Sequence, residues 1–192
     1  IIKGIYLLED SSVKEYKTTK PVSKDITLRL LGSGTILREA RKAAQILRSD
    51  FAISVDVWSV TSFNELRKEA LEVQRVNMLN PTKKAGEPFV TKALAARSGP
   101  VVATTDYMKS HSDQIREFVP DSYRVMGTDG YGRSDTRENL RHFFEVDAKF
   151  IVLAALTELK YLDLVSAKQI SEYMKDTGIE ATKINPLAQS NE

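Results

Sequence analysis

The sequence contains no cysteine and only two histidines, which excludes several kinds of site from the outset. Without cysteine the chain can form no disulfide, no thiolate nucleophile and no cysteine-based zinc site. His111 and His142 lie far apart and lack the spacing of a metal site, so we interpret each as structural. The absence of cysteine also fits a reducing compartment, and we expect a cytoplasmic protein.

Long apolar runs and an excess of one charge are also lacking. No stretch approaches the ~18 apolar residues of a membrane span, and the opening IIKGIYLLED is too quickly charged for a signal peptide. The 28 Lys and Arg residues interleave with 26 Asp and Glu residues. We therefore expect neither a membrane nor a nucleic-acid partner. The first residue is Ile1 rather than Met, which leads us to expect a piece of a longer polypeptide.

What the sequence does contain is an alternation of short apolar runs with amphipathic stretches. Its 192 residues suffice for one domain with a real core. Hydrophobic patterning predicts strands at 3–9, 26–31, 53–57, 101–104 and 123–126. It predicts helices over 35–48, from the Ser62 capping box to Asn80, over 88–96 and 107–118, and after Asp135, Asp147 and Ser166, the last ending at Gly178. This alternation predicts a three-layer α/β/α fold whose mostly parallel sheet is covered on both faces.

The stretch LLGSGT at residues 30–35 resembles a phosphate-binding turn, because a strand, Gly-x-Gly and a helix follow one another. It lacks the Gly-Lys-Ser/Thr ending of a P-loop. Leu31 stands where a hydrolase elbow needs glycine, and Leu37 stands where a dinucleotide fingerprint needs Gly or Ala. Asp56 lies at roughly the distance of that fingerprint's acidic partner but falls inside a strand pattern.

We therefore interpret these glycines as a tight turn between strand and helix, with Ser33 or Thr35 capping the helix. Ser33, Gly34 and Thr35 remain a candidate anion-binding turn. On that alternative the chain is a regulatory module that binds a small anion. A free-standing enzyme with an unrecognised site is a further alternative.

The densest glycine stretch, MGTDGYGRSDTREN, covers residues 126–139. Its acidic residues suggest a calcium loop, but the Asp-x-Asp-x-Asp-Gly register is missing. We expect a polar loop at the carboxyl edge of the sheet, with Asp135 capping a helix that buries Leu140, Phe143 and Phe144. The candidate interface residues of this loop are Asp129, Arg133, Ser134, Asp135 and Arg137.

Three stretches carry a specific resemblance: residues 58–81, TTDYMK at 104–109, and MGTDGYGRSDTRENLRHFFEVDAKFIVLAAL at 126–156. Together they resemble the carboxy-terminal domain of the homodimeric bacterial pyruvate dehydrogenases, and more broadly that of transketolases. The resemblance implies a mixed sheet of about five strands with one strand antiparallel to the others. It also implies a connecting segment at 1–25, a transketolase-like domain at 26–186 and a flexible tail at 187–192.

The resemblance implies a parent enzyme that decarboxylates pyruvate and reductively acetylates the lipoyl groups of dihydrolipoyl acetyltransferase. That enzyme uses thiamine diphosphate and magnesium, held by a Gly-Asp-Gly motif and a downstream Asn-Asn. Here Thr128-Asp129-Gly130 lacks the first glycine, there is no Asn-Asn, and no glutamate can be assigned to the aminopyrimidine. We therefore expect no catalytic, cofactor-binding or metal-binding residues in this chain, and no activity of the chain alone. The resemblance implies a structural role instead, with packing on the preceding catalytic domains and on the second subunit of a homodimer.

Overall fold

The computed structural model describes residues 2–18 and 20–188, so most of the predicted tail at 187–192 lies outside the described residues. The strands are β1 (Ile5–Glu9), β2 (Leu28–Ser33), β3 (Val55–Val60), β4 (Val101–Thr104) and β5 (Tyr123–Met126). The helices are α1 (Leu37–Asp50), α2 (Phe63–Leu79), α3 (Phe89–Leu94), α4 (Lys109–Asp113), α5 (Arg137–Phe143), α6 (Ala148–Lys160) and α7 (Ala167–Thr177). Single 3-10 turns occur at Gly34–Ile36 and Arg116–Phe118. No helix of the described part is long and apolar enough to cross a bilayer.

The five strands form one sheet in the order β1-β3-β2-β4-β5. Strands β2 to β5 are parallel, and β1 pairs antiparallel with β3. The predicted mixed, mostly parallel sheet is therefore confirmed. The interior strands are buried on both faces, as parallel strands between helical layers must be.

Each face of the sheet packs against its own helical layer, because successive side chains of a strand point to opposite faces. Leu30 and Val57 belong to a core cluster shared with α1, α6 and α7. Leu31 and Trp58, the next residues along the same strands, belong to a second cluster shared with α2 and α3. The predicted three layers are thus present, with a separate apolar core on each side of the sheet.

Several predicted elements differ from the structure. Strand β3 covers Val55–Val60 rather than 53–57, and α1 covers Leu37–Asp50 rather than 35–48. Strand β2 runs on to Ser33, so the turn begins at Gly34 rather than at Gly32. The single helix predicted over 107–118 is wrong, because it divides into α4 and the 3-10 turn at Arg116–Phe118. Where α4 ends, backbone carbonyls accept hydrogen bonds from side chains: Tyr123 Oη donates to Ser112 O, and Gln114 Nε2 donates to His111 O.

The helix caps predicted from local sequence are confirmed in most cases. Asp147 accepts a hydrogen bond from Phe150 N, Ser166 forms a complete capping box, and Gly178 ends α7 at φ +71°. The cap of α5 is Thr136 rather than the predicted Asp135. Thr136 Oγ1 accepts from Asn139 N at 3.3 Å, while the Asp135 carboxylate accepts from Thr136 N.

The predicted burial of the α5 side chains is only partly correct. Leu140, Phe143 and Phe144 are half-buried, and no residue of α5 is fully buried. Helix α5 therefore lies at the surface, between the glycine-rich loop and the well-buried α6.

Candidate functional site

The carboxyl ends of β2, β4 and β5 open onto a cleft of about 640 Å³. Thr35 and Ile36 line it after β2, Asp106 lines it after β4, and the loop 128–137 lines it after β5. Loops at the carboxyl ends of parallel strands gather at one edge of a sheet, where open α/β folds bind ligands. The fold therefore brings Thr35 of the candidate anion-binding turn and the candidate interface loop to the same place.

The turn at Gly34 is shaped around a neighbouring carboxylate. Gly34 takes φ +57°, and a Cβ added there would lie 2.8 Å from Asp106 Oδ1. Thr35 Oγ1 donates to Asp106 Oδ2 at 3.3 Å, and Ser33 makes no side-chain capping bond. The predicted capping by Ser33 or Thr35 is therefore wrong. The candidate anion-binding turn faces a carboxylate of the chain itself, which repels a second anion.

The base of the glycine-rich loop is bonded to the connection between β4 and α4. Thr128 N donates to Tyr107 O at 2.9 Å, and Thr128 Oγ1 donates to Asp106 O at 2.8 Å. Asp129 Oδ1 accepts from Lys109 N at 2.8 Å, and its other oxygen lies 3.8 Å from Lys109 Nζ. These bonds hold the start of the loop against the edge of the sheet. Both oxygens of the Asp129 carboxylate are engaged with Lys109.

The far part of the loop is exposed and charged. The guanidinium of Arg133 lies 4.4 Å from the centre of the Phe143 ring, within cation–π range. The side-chain amide of Asn139 and the backbone N–H of Thr136 hold the pKa of Asp135 below its usual value. Ser134 and Arg137 are exposed beside them.

Behind the cleft, a buried glutamate of α1 joins that helix to α5 and α6. Glu39 of α1 accepts from Arg141 Nη1 at 2.9 Å and from Ala148 N at 3.1 Å. Its carboxylate thereby meets the N-terminus of α6, where negative charge is favoured. Glu39 was not among the functional residues predicted from the sequence. The available signal was the helical period, which puts it one turn from the apolar residues Ile36 and Ala43.

Two further buried charges were missed because their partners are distant in sequence. Arg29 of β2 is fully buried, and its guanidinium donates to the carbonyls of Leu94 and Gly99 and to Asp121 Oδ2 at 2.5 Å. Asp56 of β3 is also buried and accepts from a backbone N–H of the segment after β1. Both tie loops to the sheet and lie away from the cleft.

The acidic residues in and next to the cleft do not fit a magnesium–diphosphate group. Asp129 is already paired with Lys109, and Asp106 is bonded to Thr35. Within 2–18 and 20–188, no cluster of three or more acidic or histidine side chains could hold a metal ion. The two histidines are placed apart: His111 packs edge-on against Phe63, and His142 lies beside Asp147.

Comparisons with known proteins agree with this fold. The family model of the transketolase-like TK C-terminal domain matches residues 4–147. Proteins called pyruvate dehydrogenase E1 component are 50% identical over 188 residues in Pseudomonas aeruginosa and 45% identical over 187 residues in Escherichia coli. Each match covers 97% of this chain, and the chain spans 20% of the length of these relatives.

Solved structures of transketolases share the fold at low sequence identity. The enzyme of Campylobacter jejuni has a TM-score of 0.52 at 20% identity, over 81% of this chain and 18% of its own. The enzyme of Leishmania mexicana has a TM-score of 0.51 at 18% identity, over 83% and 18%. The resemblance derived from the sequence is thus confirmed: the chain belongs to the family of transketolase-like C-terminal domains.

Proposed function

We propose that this chain is the carboxy-terminal domain of a cytoplasmic pyruvate dehydrogenase E1 component. The observation that carries the proposal is the 45–50% identity to E1 components over 97% of the chain. The parent enzyme decarboxylates pyruvate and transfers the acetyl group reductively to lipoyl groups of dihydrolipoyl acetyltransferase. Its thiamine diphosphate and magnesium are held by other domains, and this domain supplies no catalytic residue.

We propose further that residues 26–186 form the domain and that residues 1–25 connect it to the preceding one. Strand β1 of this segment pairs with β3, so the connection is itself part of the sheet. The chain leading into the domain is thereby fixed at one edge of the sheet, and the cleft opens at the ends of the strands.

The domain's role is to contact the catalytic domains or the second subunit through the carboxyl edge. Three large apolar side chains are exposed there: Tyr107 at 62%, Met108 at 59% and Tyr131 at 70%. Tyr131 lines the cleft together with the exposed Arg133 and Asp135. Aromatic residues, Met and Arg are the types enriched in protein interfaces, which supports contact at this edge.

The test uses the full-length protein carrying Arg133→Ala or Tyr131→Ala. We expect dimer dissociation to rise about tenfold, equivalent to ~1.4 kcal/mol, or turnover to fall similarly. Arg67→Ala on the exposed surface of α2 is the matched control and should leave both unchanged. Analytical ultracentrifugation and steady-state activity measure the outcome. If both cleft variants keep wild-type dimer affinity and turnover, the loop is a solvated turn and not an interface.

The alternative, a regulatory module that binds a small anion, has one supporting observation. Arg133, Arg137 and Arg141 line the same cleft. The Asp106 carboxylate, which lies at the Gly34 turn, would repel an anion bound there. Calorimetric titration with inorganic phosphate separates the two, because only the regulatory module predicts saturable binding that Arg137→Ala abolishes. A start codon just before Ile1 would also favour this alternative, whereas an upstream Gly-Asp-Gly motif in frame supports the E1 component.

A further inference from the structure

A second concave surface lies away from the cleft, between α1 and residues 15–18, and we call it the basic groove. Its volume is about 730 Å³. Five cationic side chains line it, with two carboxylates, Glu9 and Glu15. The cations are Lys17, Arg38, Arg41, Lys42 and Arg48. The cationic excess is local, since the whole chain carries a formal charge of only +2.

The floor of the groove is a closed set of ion pairs. Glu9 is buried, and its two oxygens accept from Arg41 Nε at 2.6 Å and from Arg48 Nη1 at 2.8 Å. Arg48 also donates to Val55 O at 2.7 Å and lies 5.0 Å from the centre of the Tyr16 ring. Glu9 is therefore already neutralised by Arg41 and Arg48, so it does not compensate the charges of Arg38 and Lys17.

The rim of the groove carries the cations that remain available. Arg38 and Lys17 are exposed and have no hydrogen bond or ion pair within the described residues. Arg41 remains 54% exposed in spite of its bond to Glu9, whereas Lys42, also exposed, pairs with the buried Glu39 at 3.1 Å. Guanidinium groups with spare N–H donors favour carboxylate partners, which they bind in a bidentate manner.

The shape of the groove favours an extended chain. One wall follows α1 from Arg38 to Ser49, which is about 16 Å along the helix axis. An extended segment of about five residues has the same length at ~3.3 Å per residue. In such a segment every second side chain faces one way, at intervals of about 6.6 Å, close to the 5.4 Å rise of one helical turn.

We propose that the basic groove binds an extended acidic segment of a partner protein, with Asp or Glu at alternate positions. Its carboxylates pair with Arg38 and Arg41 along the helix and with Lys17 on the opposite wall. Tyr16, which is half-buried and lines the groove beside Arg48, packs against the backbone or apolar side chains of the segment.

The experiment mixes the 192-residue chain with a fluorescein-labelled decapeptide of alternating Glu and Ser and measures binding by fluorescence anisotropy. The salt concentration is about 50 mM, because charge pairs are only weakly screened there. Lys17→Glu with Arg38→Glu should weaken binding at least tenfold. The matched control, Arg67→Glu with Lys92→Glu, makes the same change of charge on exposed residues of α2 and α3 and should weaken it less than twofold. Thermal melts establish that both variants are folded.

Amide shifts on peptide addition should concentrate in residues 15–18 and 38–49. Equal weakening in both double variants, or no binding, would overturn the proposal. Displacement of the peptide by millimolar inorganic phosphate would also overturn it, in favour of a small-anion site. No readout involves catalysis or dimerisation, so failure here is separable from failure of the proposed function.

Discussion

At position 34 the chain needs glycine for two reasons that act together. The left-handed φ of +57° disfavours any side chain, and a Cβ would lie 2.8 Å from Asp106 Oδ1. Gly34→Ala should therefore lower the free energy of unfolding by about 1–2 kcal/mol, measured by thermal or urea unfolding. Gly132→Ala is the matched control, because nothing lies within 4 Å of its added Cβ, and it should change stability little.

A second substitution separates strain from crowding. Asp106→Ala removes the carboxylate that an alanine at 34 would meet, so it should recover part of the loss in a double variant. The strain of the positive φ should remain. An unchanged melt of Gly34→Ala, together with lost activity of the full-length enzyme, would instead favour a ligand site at the turn.

The acidity of Asp135 gives a second test on one residue. Its hydrogen bonds from Asn139 and Thr136 favour the ionised form, so its folded pKa lies below the usual value. The stability it contributes is present above its unfolded pKa and is lost as the pH falls through the folded pKa. Carboxyl-carbon NMR titration should place the Asp135 midpoint below that of the Asn139→Ala variant. Equal midpoints would contradict the assigned bonds.

Residue-level predictions succeeded where the cause is local in sequence and failed where it is not. The caps at Asp147 and Ser166 bond to residues three positions away, so the sequence alone reveals them. Arg29 and Glu39 are buried because of Asp121 and Arg141, which lie 92 and 102 positions away. No local pattern contains those partners, so the interior charges appear only in the folded structure.

Among the elements, α1 and α6 depend on the bonds of Glu39. Glu39→Ala leaves the mostly buried Arg141 without this carboxylate and Ala148 N without an acceptor. The free energy of unfolding should fall by about 2–3 kcal/mol in urea titrations. Glu72→Ala removes an exposed pair with Arg75 and should change it by less than about 0.5 kcal/mol. Similar losses of unfolding free energy in both variants would mean that the buried Glu39–Arg141 pair does not stabilise the contact between α1 and α6.

Element boundaries were predicted best in β4 and β5 and in the helices α2 and α7, whose predicted caps are the observed ones. The bounds of β4 and β5 match the apolar runs at 101–104 and 123–126. The helix at 107–118 was misjudged because its interruption depends on tertiary bonds, including that from Tyr123 Oη to Ser112 O. The loop at 126–139 was placed correctly after a strand, but its glycines do not reveal that it shares a cleft with Asp106 and Thr35.

For the whole molecule, the alternation of strands and helices was sufficient to predict the layers, and the sheet order then determines the cleft. Neighbours β2, β4 and β5 are parallel, so their following loops must meet at one edge. The sequence of this chain could not predict which partner surface contacts that edge, because an interface depends on both of its surfaces. The exposed aromatic and charged residues there indicate only the chemistry of the missing surface.

On the proposed function, thiamine diphosphate and magnesium bind to other domains of the full-length protein. Asp129 is the acidic residue of Thr128-Asp129-Gly130, and its carboxylate is bonded to Lys109 N and paired with Lys109 Nζ. Asp106 and Asp135 line the same cleft, and their charges repel a diphosphate. Calorimetric titration of the 192-residue chain with magnesium and thiamine diphosphate should therefore give only heats of dilution. The full-length enzyme is the positive control. A stoichiometric transition in the micromolar range for the chain alone would contradict the assignment of the cofactor to other domains.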